Sequence, residues 1–314
     1  MIVLLLLWSY DCQQEFEWLE YFAGTGHLSA VMAAAQYRSI RFDLLDNDKP
    51  HHRRSNFMNL AHPSGFALAT LFMLRTVEGD FGCHLGLKCS SFCKMNVGTS
   101  ARSACAAIGW EPYESVSLGN MLLERSCLLI YLATCLGGVW SLEQPAGALT
   151  EYYPAFRETV QNIFECGGPT AVQCVRWWMG HYKAPTPKRH YAYSNSPAIK
   201  RIDKGVLQGW KQKGKAKNKP VEHYVDSKGR KRIYPVPFAR EVCDLMELMK
   251  KTRLGQPELP AVLPDALETF GNLQVADPLV WRKVNLPSVY NYLRRNKKLN
   301  IPVEWQHVMP KKIG

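Results

Sequence analysis

Glu20-Tyr21-Phe22-Ala23-Gly24-Thr25-Gly26-His27-Leu28-Ser29 runs from an apolar strand, through a turn with two glycines, into a helix. Trp18 to Phe22 reads as the strand and Leu28 to Ala35 has helical composition. Gly24 and Gly26 free the backbone to turn and to approach a ligand closely. Such a turn seats a nucleotide-type cofactor at the head of a helix. Ile40-Arg41-Phe42-Asp43 follows at the distance of a second strand ending in an acidic residue, and a carboxylate there is suited to bind two ribose hydroxyls. A strand-to-helix turn that holds nothing would carry the same glycines.

Working outward, strands alternate with helices. Phe66 to Val77 suits a buried helix, and Gly79 to Leu87 a short strand ending at a special loop. Asn120 to Leu136 has a helical apolar period stopped by Gly137-Gly138, and Val139 to Leu142 is the next strand. Pro154 opens a helix that continues to Glu165, before the strand-like Thr170 to Trp178. A further helix, Ala239 to Lys251, turns Val242, Leu245, Met246 and Met249 inward. The alternation implies an α/β fold with a doubly wound, mainly parallel sheet. The expected organisation is an N-terminal apolar segment (1–15), a core (16–199), a basic insertion (200–233), a helix packing back on the core (234–253), and a linker with a C-terminal appendage (254–314).

The chain has 314 residues, 46% of them hydrophobic, enough for a substantial core. Its formal net charge of +12 points to a polyanionic partner, with nucleic acid leading. The 10 cysteines lack the dense spacing of a disulfide framework and are read as reduced, which suits an intracellular protein, nuclear or cytoplasmic. The opening Met1 to Trp8 is too short to span a bilayer and has no basic residue before it, so it reads as a buried strand or the product of a truncated gene start, with a secretion signal as the alternative. No membrane association is expected.

Two further sites carry chemistry. In Gly86-Leu87-Lys88-Cys89-Ser90-Ser91-Phe92-Cys93 a cysteine follows a strand, at the carboxyl edge where α/β sheets bind ligands. Ser141-Leu142-Glu143-Gln144-Pro145 places a carboxylate at the end of the next strand. With the glycine turn, these sites make the chain resemble Rossmann-like S-adenosylmethionine methyltransferases, and in particular the cytosine-5 DNA methyltransferase family. That family has a cofactor loop, a Pro-Cys-Gln loop and a Glu-Asn-Val loop in the same order and at similar spacing. The resemblance covers about residues 16–250 and implies S-adenosylmethionine as cofactor and DNA as partner. It assigns Phe22, Ala23, Gly24, Gly26 and Ser29 to the cofactor motif, with Asp43 and Asp80 where acids contact ribose and adenine. Cys89 matches the nucleophile, Phe92 its loop, and Glu143 the base-binding carboxylate.

The chemistry explains those residue types. Cytosine is a poor carbon nucleophile, so a thiolate adds at carbon 6 and enriches carbon 5. A carboxyl group near ring nitrogen 3 stabilises the adduct by hydrogen bonding or proton donation. The target base must leave the duplex, so basic surface is needed to hold the distorted DNA. Lys211, Lys213, Lys215, Lys217 and Lys219 form a cationic arm suited to phosphates, although a solubilising loop or an import signal would look alike. Arg189, in Pro187-Lys188-Arg189-His190-Tyr191, is a partial counterpart of the family's arginine-rich strand.

The chain also departs from the pattern. Lys88 stands for the proline, Ser90 for the glutamine and Gln144-Pro145 for Asn-Val, and the segment before Tyr234 is too short for a typical target-recognition domain. Three alternatives follow: a nucleic-acid-binding protein whose active site has drifted; a methyltransferase of RNA, protein or a small molecule; and, for Cys89 itself, a small buried residue at a strand end. For Glu143 the plainer role is capping the following loop or pairing with Arg189. Cys83, His84, Cys89 and Cys93 could offer soft metal ligands, but their spacing matches no standard zinc pair, and no metal is expected.

Overall fold

The computed structural model describes residues 14–44, 58–184, 187–208 and 234–253. All belong to the first of two compact units, Met1–Pro257. The lysine arm, most of the basic insertion, the first 13 residues and the C-terminal appendage lie outside the described residues.

The strands are β1 (Trp18–Tyr21), β2 (Ser39–Phe42), β3 (Gly82–Leu85), β4 (Val139–Pro145), β5 (Gln173–Trp178) and β6 (Arg189–Ser194). They form one sheet in the order β2-β1-β3-β4-β6-β5. β2, β1, β3 and β4 run parallel, and β6 runs antiparallel to both its neighbours. The longer helices are α1 (His27–Ala34), α2 (Pro63–Leu74), α3 (Glu114–Cys135), α4 (Pro154–Gly167) and α5 (Val236–Thr252). This is the Rossmann-like, doubly wound, mainly parallel sheet that the alternation implies.

Two apolar layers explain the winding. Side chains alternate across the strands, so Leu19, Tyr21, Cys83, Leu85, Trp140 and Leu142 face the layer of α2, α3 and α4. Trp18, Val139, Val175, Trp177 and Ala192 face the other layer, with Leu28 and Met32 of α1 and Phe238, Val242, Leu245, Met246 and Met249 of α5. The inward residues expected of the last helix are therefore buried. α3 has the length and apolar content of a membrane span, and here ten of its residues are buried in the fold.

One row breaks the apolar pattern. On the α1/α5 face, Glu20 of β1 aligns with His84 of β3, His84 with Ser141 of β4, and Ser141 with Ser194 of β6. All four are buried. A polar line across four strands of a sheet interior is costly unless each member is hydrogen-bonded.

Candidate active site at the carboxyl edge

Strand order reverses at β1, which continues to β2 on one side while β3 lies on the other. At this switch point an α/β sheet leaves a crevice beyond its carboxyl ends. The glycine turn stands there. Phe22, Gly24 and Gly26 take φ of 58°, 57° and 69°. Glycine adopts that region without a steric cost, whereas Phe22 stores strain of about 1–3 kcal/mol. Asp43 Oδ2 accepts the Gly24 N–H at 2.8 Å, so the acid after β2 is part of the turn.

Beneath the turn, Glu20 reaches from β1 to the first turn of α1, which has no side-chain cap of its own. Its Oε2 accepts the Ser29 N–H at 2.7 Å and the Ser29 hydroxyl at 2.6 Å. A carboxylate at a helix amino terminus satisfies an orphan N–H and meets the positive end of the helix dipole. Ser29, expected at the cofactor, is buried and spent on this internal fastening. Glu20 Oε1 is buried with no hydrogen-bond partner. Burial outweighs the Ser29 hydrogen bonds and raises the carboxyl from 4.5 to about 7.

That shift has a measurable sign. An acid whose folded pKa exceeds its unfolded value contributes stability below the unfolded pKa and loses it as pH rises through the folded one. Between about 4.5 and 7, Glu20 therefore withdraws about 3 kcal/mol of stability. Glu20→Gln keeps the acceptor for Ser29 without a titrating proton. Urea unfolding at pH 5 and pH 8 is expected to show that the variant lacks this loss, and equal pH slopes in both proteins would contradict it.

Cys89 lies four residues beyond β3, half-buried, while Lys88 is exposed. Its carbonyl accepts the N–H groups of Phe92 and Cys93, folding the loop back. The loop is fastened to the end of β4: Gln144 Nε2 donates to Leu87 O at 2.7 Å, Leu149 N to Phe92 O at 2.8 Å, and Cys93 bridges Ala148. Gln144, a departure from the family pattern, thus pins the cysteine loop beside Glu143. At its base, a Cβ on Gly86 would lie 3.6 Å from Phe22 O, so the cysteine loop also adjoins the glycine turn.

Glu143 is buried and both its oxygens are engaged. His190 Nδ1 donates to Oε1 and the Tyr234 hydroxyl to Oε2 at 2.7 Å. Burial alone would raise its pKa, but the His190 charge and the hydrogen bonds from His190 and Tyr234 prevail and hold it at about 2. Glu143 pairs with His190, not with the expected Arg189, because antiparallel β6 lays His190 opposite Pro145. Arg189 is exposed at this same edge, its guanidinium 5.4 Å from the Trp178 ring centre. His84, buried, donates from Nε2 to the Tyr234 oxygen at 3.1 Å and accepts the Ser141 hydroxyl at Nδ1 over 2.8 Å. Burial lowers its pKa to about 4, which keeps the ring neutral, and the tautomer follows because the Tyr234 hydroxyl hydrogen is committed to Glu143.

Asp80 needs correction. It precedes β3, at the amino end of the strand, and its carboxylate binds Lys250 of α5 at 2.6 Å. That is the edge opposite the turn. Phe22, Ala23, Gly24, Gly26, Asp43, Cys89 and Glu143 are brought to the carboxyl edge; Ser29 is turned inward and Asp80 is not brought there. Sequence reading missed Glu20, His84, His190 and Tyr234. Alternation places Glu20 and His84 on one face, but nothing local signals Tyr234, which lies 91 residues from Glu143. Among the described residues, no group of three or more His, Cys, Asp or Glu is placed to hold a metal ion.

No protein-family profile matches the chain, and no curated protein matches it. Among solved structures it is similar to the S. pombe Dnmt2 methyltransferase, with 13% identity and a TM-score of 0.32, over 57% of this chain and 49% of that one, so the match spans about half of that protein's length.

Proposed function

We propose that this chain is an S-adenosylmethionine-dependent methyltransferase acting on a nucleic-acid base, with cytosine in DNA as the acceptor and Cys89 as a covalent nucleophile. One observation carries the reading: the glycine turn, the Cys89 loop and Glu143 share one carboxyl edge at the switch point of the sheet, and hydrogen bonds join the Cys89 loop to the ends of β1 and β4.

The residues fit the cofactor. Gly24 and Gly26 take positive φ, Asp43 offers a carboxylate after β2, and Glu20 Oε1 is a buried acceptor with no hydrogen-bond partner, while the Arg41 side chain packs over Gly26, 2.7 Å from where a Cβ would lie. When bound, S-adenosylmethionine supplies an electrophilic methyl group. The half-buried Cys89, its S–H proton lost to solvent, would add as the thiolate at carbon 6 of the base, which turns carbon 5 into a nucleophile for that methyl; loss of the carbon-5 proton to water would then re-form the double bond and expel the thiolate. Glu143 is ionised at neutral pH and so accepts hydrogen bonds rather than giving up a proton. A fixed acceptor selects a base edge that carries an amino donor, which cytosine has and uracil lacks. The formal charge of +12 and Arg189 at the same edge suit a phosphate backbone.

The reading is tested by calorimetric titration with S-adenosylmethionine. The full chain is expected to give saturable heat. Gly24→Val places a β-branched side chain at φ 57° and is expected to weaken binding by about tenfold or more. Absence of saturable heat in the unaltered chain would end the proposal.

A further inference from the structure

Tyr234 stands just before α5, and the chemistry above does not call on it, yet it reaches all three loops of the carboxyl edge. Its hydroxyl donates to Glu143 Oε2 at 2.7 Å and accepts from His84 Nε2 at 3.1 Å. Its main-chain carbonyl accepts from Nδ1 of His27, the first residue of α1, at 2.8 Å. A carboxylate and a carbonyl can only accept here, so the direction of every bond is fixed. The ring is held edge-on to His84, with centres 5.4 Å apart, and lies 5.2 Å from Phe238, which stacks on Trp177. Gly86 keeps the space open, because a Cβ there would lie 2.8 Å from the Tyr234 oxygen.

We propose that Tyr234 is the positioning residue of the acceptor site: its hydroxyl fixes the Glu143 carboxylate, and its carbonyl ties that carboxylate to the turn that seats the methyl donor. This rests on the methyltransferase reading. His27, Tyr234 and Glu143 form one chain of contacts from the head of α1 to the end of β4, bridging elements that no strand pairing joins directly. The groups facing Glu143 are His190 from β6, His84 from β3 and the Tyr234 hydroxyl; Glu20 of β1 and Cys89 of the β3 loop face Tyr234 in turn. Burial opposes the ionised carboxyl, so removing one donor lets its pKa rise.

Tyr234→Phe tests this in the full chain, since it deletes the hydroxyl and keeps both the ring packing and the carbonyl. The acid-unfolding midpoint is expected to move up by about half a pH unit, and kcat/KM for cytosine-containing DNA to fall about tenfold, with S-adenosylmethionine affinity within about threefold of the unaltered chain. A role in packing alone would leave the midpoint and kcat/KM unchanged, and that result overturns the proposal. A moved midpoint with unchanged turnover overturns it too, because the bond would then serve only stability. If the unaltered chain neither binds S-adenosylmethionine nor methylates DNA, the methyltransferase reading itself has failed and the positioning role falls with it, a result recognisable without the variant.

Discussion

Cys89→Ala is expected to lower methyl transfer to cytosine-containing DNA by on the order of 10³-fold or more, while S-adenosylmethionine binding stays within about twofold. The asymmetry follows from placement. The proposed cofactor contacts come from the turn after β1 and from Asp43 after β2, whereas Cys89 belongs to the loop after β3. Its side chain is only half-buried, so truncation leaves no sealed cavity, and the stability cost is expected to be about 1 kcal/mol or less. The loop keeps its shape because the bonds made by the Cys89 carbonyl, Leu87 and Phe92 survive the truncation. Radiolabel transfer and calorimetry on the same preparation separate the two effects. Retained transfer in the variant would remove the covalent step and leave a methyltransferase of another mechanism.

The parts of this site that were legible in the sequence are those set by local rules. The turn at Gly24 and Gly26 shows because positive φ excludes most residues, and the strands show because buried parallel strands read as short apolar runs. Cys89 and Glu143 show because each closes such a run. Asp80 misled because only the resemblance assigned it: even a strand starting at Gly79 leaves this acid at the amino end, and β3 itself begins at Gly82. What pairs with what was hidden. Gln144 looks like a flaw in a motif until β3 and β4 lie side by side and its amide meets Leu87 O. Tyr234 and His190 reach Glu143 only through the sheet order and the return of α5, and no periodicity encodes either. The lysine arm, prominent in composition, falls outside the described residues, so Arg189 is the one expected nucleic-acid contact whose position is known.

Arg102→Met is expected to cost about 3–5 kcal/mol, a large share of a stability of about 5–15 kcal/mol, and to loosen the cysteine loop as it does so. Arg102 is fully buried, with 0% of its surface exposed, and among the described residues no carboxylate hydrogen-bonds it. Its guanidinium instead donates to the carbonyls of Ala107, Ile108 and Val116 and to the Ser91 hydroxyl. It also lies over the Phe92 ring, 3.9 Å from the centre, where the negative face of the ring meets the cation. Burial lowers its pKa to about 10, opposed by Tyr153 and Glu111, so it remains charged at neutral pH. These bonds gather the loop from Ser100 to Tyr113 and the head of α3 around Ser91 and Phe92, directly after Cys89. Methionine fills similar space but satisfies none of the acceptors, and each unpaired buried group carries its own desolvation cost. Because the acceptors sit on two adjoining loops and the head of α3, the damage should be local first. Hydrogen exchange is expected to rise across 89–113 before the sheet is affected, and Cys89 to alkylate faster relative to buried Cys83. Uniform loss of protection would instead mean that Arg102 supports the whole core. Unchanged exchange at Cys89 would mean that the loop is held by Gln144 and Leu149 alone.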